Sequence, residues 1–177
     1  KALLEEYCCD FTHVNGEMTG VFAHTPEPTP ENLEELEVAV ASEDTVACGF
    51  AQDPDADRLA IIDECGHYIG EEYTLVLSAL RMLQRNGSGT VTTNLSTSRM
   101  IDDIVAQFPG SRVIRTAVGE AHVVKALKES EGLIGGEGNG GVIAPQVCWV
   151  RDSLVSMAMV LDLLASEERS LSEIIES

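Results

Sequence analysis

Basic side chains are scarce in this 177-residue chain: 11 lysines and arginines stand against 30 aspartates and glutamates, a formal charge of −19. That balance argues against nucleic acid and anionic membrane surfaces as partners, because a phosphate backbone requires a basic face. No uninterrupted apolar run is long enough to span a bilayer, and no signal-peptide pattern stands at the start. An even cysteine framework is missing too: Cys8, Cys9, Cys48, Cys65 and Cys148 make five, with no metal-binding spacing among them. Cys8 and Cys9 are adjacent and badly placed to pair with each other, so a reduced, cytoplasmic chain is expected. There is no internal repeat and no low-complexity segment. The chain opens on Lys1 rather than Met, in what reads as the middle of a helix, which suggests a piece of a longer polypeptide. What is present is a hydrophobic fraction of 44%, enough for a packed core in one ordinary domain or two small ones.

The most informative stretch is Asp53-Pro54-Asp55-Ala56-Asp57-Arg58, set between the apolar runs 45–51 and 59–62. In an extended strand Asp53 and Asp57 would lie about 13 Å apart, at about 3.3 Å per residue. Oxygens sharing one Mg²⁺ at about 2.1 Å must instead converge to within about 4 Å, so the loop has to curl. Curling brings like charges together, at roughly 4 kcal/mol per pair for a 4 Å separation and an effective dielectric near 20, and a bound cation offsets that. An acidic solvated turn is the plain alternative, although the neighbours are apolar rather than polar. A Ca²⁺-binding module of the EF-hand type places Asp53, Asp55, Asp57 and Glu64 at loop positions one, three, five and twelve. It lacks the glycine at position six, where the chain has Arg58, and its flanks read as strands rather than helices. A haloacid-dehalogenase-type nucleophile wants Thr or Val where Asp57 stands. A phosphate ester would be an awkward ligand for so acidic a chain unless Mg²⁺ reverses the local field or the gripping basic groups lie on other sequence.

Along the chain, residues 1–7 read as a helix end and 11–15 as a strand. The Gly- and Pro-rich loop 16–30 follows, then a helix capped by Thr29 that opens at Pro30, buries Leu33, Leu36 and Val40, and turns Glu34, Glu35 and Glu37 to water. His67 reads as a turn residue rather than a ligand. Beyond it helix and strand alternate: helices over 71–85, 98–107, 121–128 and 152–166, and strands over 90–93, 112–116 and 133–135, with an irregular strand in 142–150. The helix 71–85 is expected to pack on one face, and 152–166, apolar almost all round, to be largely buried. The expected fold class is α/β, as two small three-layer α/β/α units of mixed sheet flanked by helices, over residues 1–66 and 67–177.

Gly136, Gly138 and Gly141 satisfy G-x-G-x-x-G, but that motif works by presenting a helix N-terminus to pyrophosphate, and no helix pattern follows. The stretch reads better as a loop presenting Glu137 and Asn139 to a polyhydroxylated ligand, with glycines that let a sugar ring approach the main chain. An exposed glycine-rich turn is the alternative. Arg151 reads either as a holder of carboxylate or phosphate or as an ordinary surface ion pair.

Together, Pro26-Glu27-Pro28 leading to Glu31-Asn32-Leu33, the acidic loop 53–58, Val118-Gly119-Glu120, the glycine loop 135–141 and Arg151-Asp152 resemble the α-D-phosphohexomutases, the phosphomannomutase/phosphoglucomutase and phosphoglucosamine mutase enzymes. The resemblance runs across nearly the whole chain and implies part of the second and all of the third of that family's four domains. It further implies that Asp53, Asp55 and Asp57 bind Mg²⁺ with a phosphoserine oxygen from the absent first domain, and that Arg58 lies near that phosphoryl group. Glu137 and Asn139, with Glu120 beside them, would recognise the hydroxyls of a phosphorylated hexose. The reaction so implied interconverts hexose 1- and 6-phosphates through a bisphosphate, with domains 1 and 4 of the same polypeptide as necessary partners. Some members carry Ser and His where this chain has Asn139 and Gly141, so an acid/base role for that His does not carry over.

Overall fold

Successive side chains of a strand point to opposite faces, and all four residues of Leu59–Ile62 are apolar, so this strand needs a core on each side. It has both. Leu59 and Ile61 join Leu77, Met157, Val160, Leu163 and Leu171, while Ala60 and Ile62 join Leu33 and Val40. The computed structural model, which describes residues 1–177, pairs this strand, β2, antiparallel with β1 (Gly49–Gln52), Gly49 opposite Ile62 and Gln52 opposite Leu59.

The elements before the hairpin are short: α1 (Ala2–Glu6), a 3₁₀ turn over Pro30–Asn32, and α2 (Glu34–Ala41). The single helix expected from Pro30 is thus split. Leu33 at φ −109°, ψ 3° leaves the α region, and the Thr29 hydroxyl, instead of capping, accepts from the Asn32 side chain at 3.1 Å. Leu33 and Val40 are buried as expected, but Glu37 is not merely solvated, since it accepts a hydrogen bond from the Tyr68 backbone at 3.1 Å. The strand expected over 11–15 does not form. No strand lies beside it to pair with, and Phe11 stays exposed. The loop 16–30 has no regular element before Pro30, in keeping with its prolines.

After the hairpin come α3 (Glu72–Asn86), β3 (Thr90–Asn94), α4 (Met100–Ala106), β4 (Arg112–Thr116), α5 (Glu120–Glu129), β5 (Ile134–Glu137), β6 (Gly141–Ile143), α6 (Ser153–Ser166) and α7 (Leu171–Ile175). The four strands are ordered β4-β3-β5-β6, with β3 parallel to both β4 and β5, and β6 antiparallel to β5. Each element expected after residue 67 is found, with shifted ends, as mixed sheets flanked by helices. The irregular strand shrinks to three residues, after which residues 145–150 turn. α3 buries two faces rather than one: Leu75, Val76, Ala79 and Leu83 meet Val91 and Ile134 of the sheet, and Leu77 meets α6 and the hairpin. It ends where Gly87, at φ 78°, returns its N–H to the Leu83 carbonyl. On the sheet's other face Val123 and Leu127 of α5 pack with Ile143. α6 is largely buried as expected, apart from Leu154, Ala165 and Ser166.

The hairpin is also stitched to the sheet edge. The Leu59 N–H donates to the Gly140 carbonyl at 3.1 Å, and Arg58 and Gly141 form an antiparallel bridge. This brings the β1–β2 turn against the C-terminal ends of the parallel strands, the side of an open α/β sheet where ligands bind. No helix is long and apolar enough to cross a membrane.

Candidate functional site: an acidic turn joined to a glycine-framed glutamate

The turn between β1 and β2 curls as the charge argument requires. Ala56 sits in the left-handed region at φ 58° and donates to the Asp53 carbonyl at 3.1 Å. Asp53, 4% exposed, organises the turn: Oδ1 accepts the Asp57 and Arg58 N–H groups at 3.1 and 3.0 Å, and Oδ2 accepts Arg58 Nε at 2.8 Å. Ser153 at the start of α6 fixes the turn's far side by donating its hydroxyl to the Ala56 carbonyl at 2.7 Å. One ligand oxygen from each of Asp53, Asp55 and Asp57 lies within 4.8 Å of the others. Three hard carboxylate oxygens so gathered fit an octahedral Mg²⁺ after a small contraction. The strands on either side exclude the helix–loop–helix frame of an EF-hand.

The electrostatics follow from this crowding. Burial pushes the Asp53 carboxyl up, but bonds from the Arg58 backbone, the Arg58 guanidinium and the Asp57 side chain outweigh it and hold the pKa below the usual value. For Asp57 burial prevails: the pKa is raised despite Arg151, and the Asp53 and Asp55 charges add to the rise. Arg58 is held by carboxylates at both ends of its guanidinium. Its Nη1 and Nη2 fork onto the Glu27 carboxylate at 2.7 and 3.2 Å, which lowers the Glu27 pKa. Glu27 is a contact that a reading of the proline-rich loop alone does not supply.

Glu137 ends β5, 5% exposed, and both of its oxygens are engaged. Oε1 accepts Asn94 Nδ2 at 2.7 Å and the Gly119 N–H at 3.2 Å, and Oε2 accepts Arg151 Nη1 at 2.9 Å. A carboxylate offers about four lone-pair positions, so one remains for a further donor such as a hydroxyl. Asn139 accepts the Gly141 N–H through Oδ1 at 3.3 Å, while its amide nitrogen donates to no protein group. Glu120, the first residue of α5, accepts Arg151 Nε at 3.1 Å. The glycines of the loop admit protein rather than leaving open main chain. A Cβ on Gly141 would strike the Arg151 stem at 2.3 Å, and one on Gly140, at φ 89°, the Leu59 carbonyl at 2.7 Å.

Arg151 is the link between the two stretches. Its guanidinium bonds Asp57 of the acidic turn through Nη2, Glu120 through Nε and Glu137 through Nη1, with 19% of the side chain exposed. It is therefore no ordinary surface ion pair. Asn94 was missed from the sequence. It is buried at the end of β3, and its Oδ1 accepts Ser96 and Thr97 N–H groups at 3.0 Å each while its amide holds Glu137. Only its place at a strand end before a Ser/Thr-rich loop hinted at it. Asp63, Cys65 and His67 on the next turn also fall within 4.8 Å of one another, a grouping that cysteine spacing alone did not show. There His67 is exposed and pairs with Asp63 at 3.4 Å, and burial with the Asp63, Glu64 and Glu176 charges pushes the Cys65 thiol up.

An acidic turn and a glycine-framed glutamate are thus joined by one arginine, and comparison with known proteins decides what they belong to. Residues 1–66 match the model of "Phosphoglucomutase/phosphomannomutase, alpha/beta/alpha domain II", and residues 70–177 match that of domain III. The chain belongs to the phosphoglucomutase/phosphomannomutase family. It is 40% identical over 178 aligned residues to a phosphoglucomutase/phosphomannomutase of Thermococcus kodakarensis, covering 98% of this chain and 38% of that protein. It is 38% identical to a protein of Methanopyrus kandleri named "Probable phosphoglucosamine mutase", again over 98% of this chain and 38% of the relative. The crystal structure of a phosphoglucomutase/phosphomannomutase family protein from Burkholderia thailandensis superposes with a TM-score of 0.82 at 25% identity, over 99% of this chain and 38% of that one. As a piece of a phosphohexomutase comprising domains 2 and 3, the chain spans 38% of the length of these two curated relatives.

Proposed function

We propose that this chain is the cation-holding and sugar-holding middle portion of a Mg²⁺-dependent phosphohexomutase that interconverts hexose 1- and 6-phosphates of mannose, glucose or glucosamine. The observation that carries the proposal is that one arginine bonds both Asp57 of the acidic turn and Glu137 of the glycine loop, so the two stretches form one site. Asp53, Asp55 and Asp57 would hold Mg²⁺, which when bound neutralises charge on a transferring phosphoryl group and polarises its donor. Arg58 and Arg151 restrain the turn from either side. The remaining lone pair of Glu137 and the free amide of Asn139 orient sugar hydroxyls, and Glu120 holds Arg151 in register. The phosphoserine and the main phosphate-gripping basic groups come from domains 1 and 4 of the same polypeptide, which accounts for the scarcity of basic residues here. The present chain alone is expected to be inactive, and the complete protein to work in the cytoplasm.

The test is to restore the flanking sequence and assay glucose-, mannose- and glucosamine-phosphate interconversion with Mg²⁺ and with chelator. Mutase activity on any of the three, abolished by chelation, is the expected result, and no activity with Mg²⁺ present sinks the proposal. In the active protein Asp55→Asn should lower kcat far more than it raises KM, because the turn acts chiefly in the transition state.

A further inference from the structure

Resting on that reading of the acidic turn, we propose that Arg151 is a built-in counter-cation that competes with the divalent ion for Asp57, so that ion loading and the grip on the Glu137 loop are reciprocally linked. The Asp57 oxygen bonded by Nη2 belongs to the residue that completes the three-carboxylate group. An ion drawing on Asp57 must therefore share it with Arg151 or displace it. The same guanidinium cannot move alone, because Nε and Nη1 are committed to Glu120 and Glu137. Its stem lies across Gly141, so close that a Cβ there would meet it, and its neighbour Asp152 is fixed by donating its N–H to the Val142 carbonyl at 2.9 Å and by capping α6 through the Leu154 and Val155 N–H groups. The arginine therefore pivots over a short range between the turn and the loop.

Without an ion, Arg151 supplies positive charge to a turn that burial and like charge would otherwise strain. With an ion present, Arg151 is released toward Glu120 and Glu137, tightening the Glu137 carboxylate against the Gly119 and Asn94 donors. By linkage, whatever strengthens the Arg151–Glu137 bond also favours the ion. The expected effect is large enough to measure. Even with the full screening of water, a divalent ion about 6 Å from a guanidinium is disfavoured by about tenfold, and a half-buried site screens less.

The experiment uses the complete protein with its flanking sequence restored, titrated calorimetrically with MgCl₂ and MnCl₂ as wild type, Arg151→Gln and Arg151→Lys. Arg151→Gln is expected to bind Mn²⁺ at least about tenfold more tightly than wild type, with Arg151→Lys between them because an ammonium keeps the charge but not the three-way fork. In the wild type, Mn²⁺-free Mg²⁺ loading should shift the Arg151 Nε–H nuclear magnetic resonance, assigned by its absence in Arg151→Lys, together with the Gly119 amide. That readout does not depend on the glutamine variant folding. Wild-type binding with unchanged or weaker affinity in Arg151→Gln, or an Nε–H resonance unmoved by saturating Mg²⁺, overturns the coupling and leaves the metal site standing. Absence of binding by all three proteins overturns the metal site and the coupling with it.

Discussion

Replacing Asn94 by aspartate turns a donor into a charge at the most buried point of the site. The Asn94 amide stands 2.7 Å from Glu137 Oε1, and Asn94 is 2% exposed. Two carboxylates at that separation repel by about 6 kcal/mol at an effective dielectric near 20. A less costly outcome exists: the pair takes up one proton, and holding a carboxyl of ordinary pKa near 3.9 protonated at pH 7 costs about 4 kcal/mol at 1.36 kcal/mol per unit. The lower cost wins, so Asn94→Asp is expected to lose about 4 kcal/mol of stability at pH 7 and about 1.5 kcal/mol at pH 5. The sign follows from the proton. The folded pair binds it more tightly than the unfolded chain does, so the variant's stability is fully present below about pH 4 and drains away as pH rises toward the raised folded value. Urea unfolding followed by circular dichroism at pH 5, 6 and 7, with wild type subtracted at each pH, measures this directly. A loss that does not change with pH would refute the reasoning, because it would mean that Asn94 does not face the Glu137 carboxylate.

Thr92 Oγ1 is buried with no hydrogen-bond partner, so Thr92→Val should raise stability by about 1 kcal/mol and lift the melting temperature; a lower Tm would show that the hydroxyl has a partner. Glu64 accepts the Ser172 N–H at 3.2 Å and its hydroxyl at 2.5 Å, and although burial pushes its carboxyl up, bonds from the Ser172 and Ser170 hydroxyls and from backbone N–H groups bring it down to about 2. A depressed folded pKa gives stability that is present above pH 4.5 and lost as pH falls toward 2, discounted by solvent screening to about 1 kcal/mol; Glu64→Gln should remove that share and flatten the acid limb of the denaturation curve. Gly140→Ala should cost about 2 kcal/mol or more, from its φ of 89° and a Cβ only 2.7 Å from the Leu59 carbonyl; an unchanged urea midpoint would contradict that close approach.

The parts of the molecule legible in the sequence are those with a local cause. The four consecutive apolar residues of β2 demanded two cores, the carboxylates at alternate positions demanded a curled turn, and the rhythm from α3 onward demanded crossovers. What was illegible is held by distant partners. Asn94 reaches Glu137 across 43 positions and Arg151 reaches Asp57 across 94, separations for which a single sequence has no period. The failure of 11–15 to form a strand has the same origin, since no neighbouring strand exists; the split at Leu33 is local instead, because the Asn32 side chain takes the Thr29 hydroxyl three positions back. The glycine loop was read for what it could admit. Its space is filled from within, by the Arg151 stem and by β2.

The four residues of β2 have a consequence for anyone who rearranges this family by shuffling modules. The two family models meet between residues 66 and 70, yet alternate side chains of that strand are shared between the interiors on either side of the seam. A chimera spliced there from two parents must match Leu59 and Ile61 to a foreign pair of helices while Ala60 and Ile62 keep their own. Crossovers placed before β1 keep the whole hairpin with the later helices and leave the smaller Leu33/Val40 cluster, the Leu3 and Leu4 contacts and the Glu27–Arg58 pair to be re-matched.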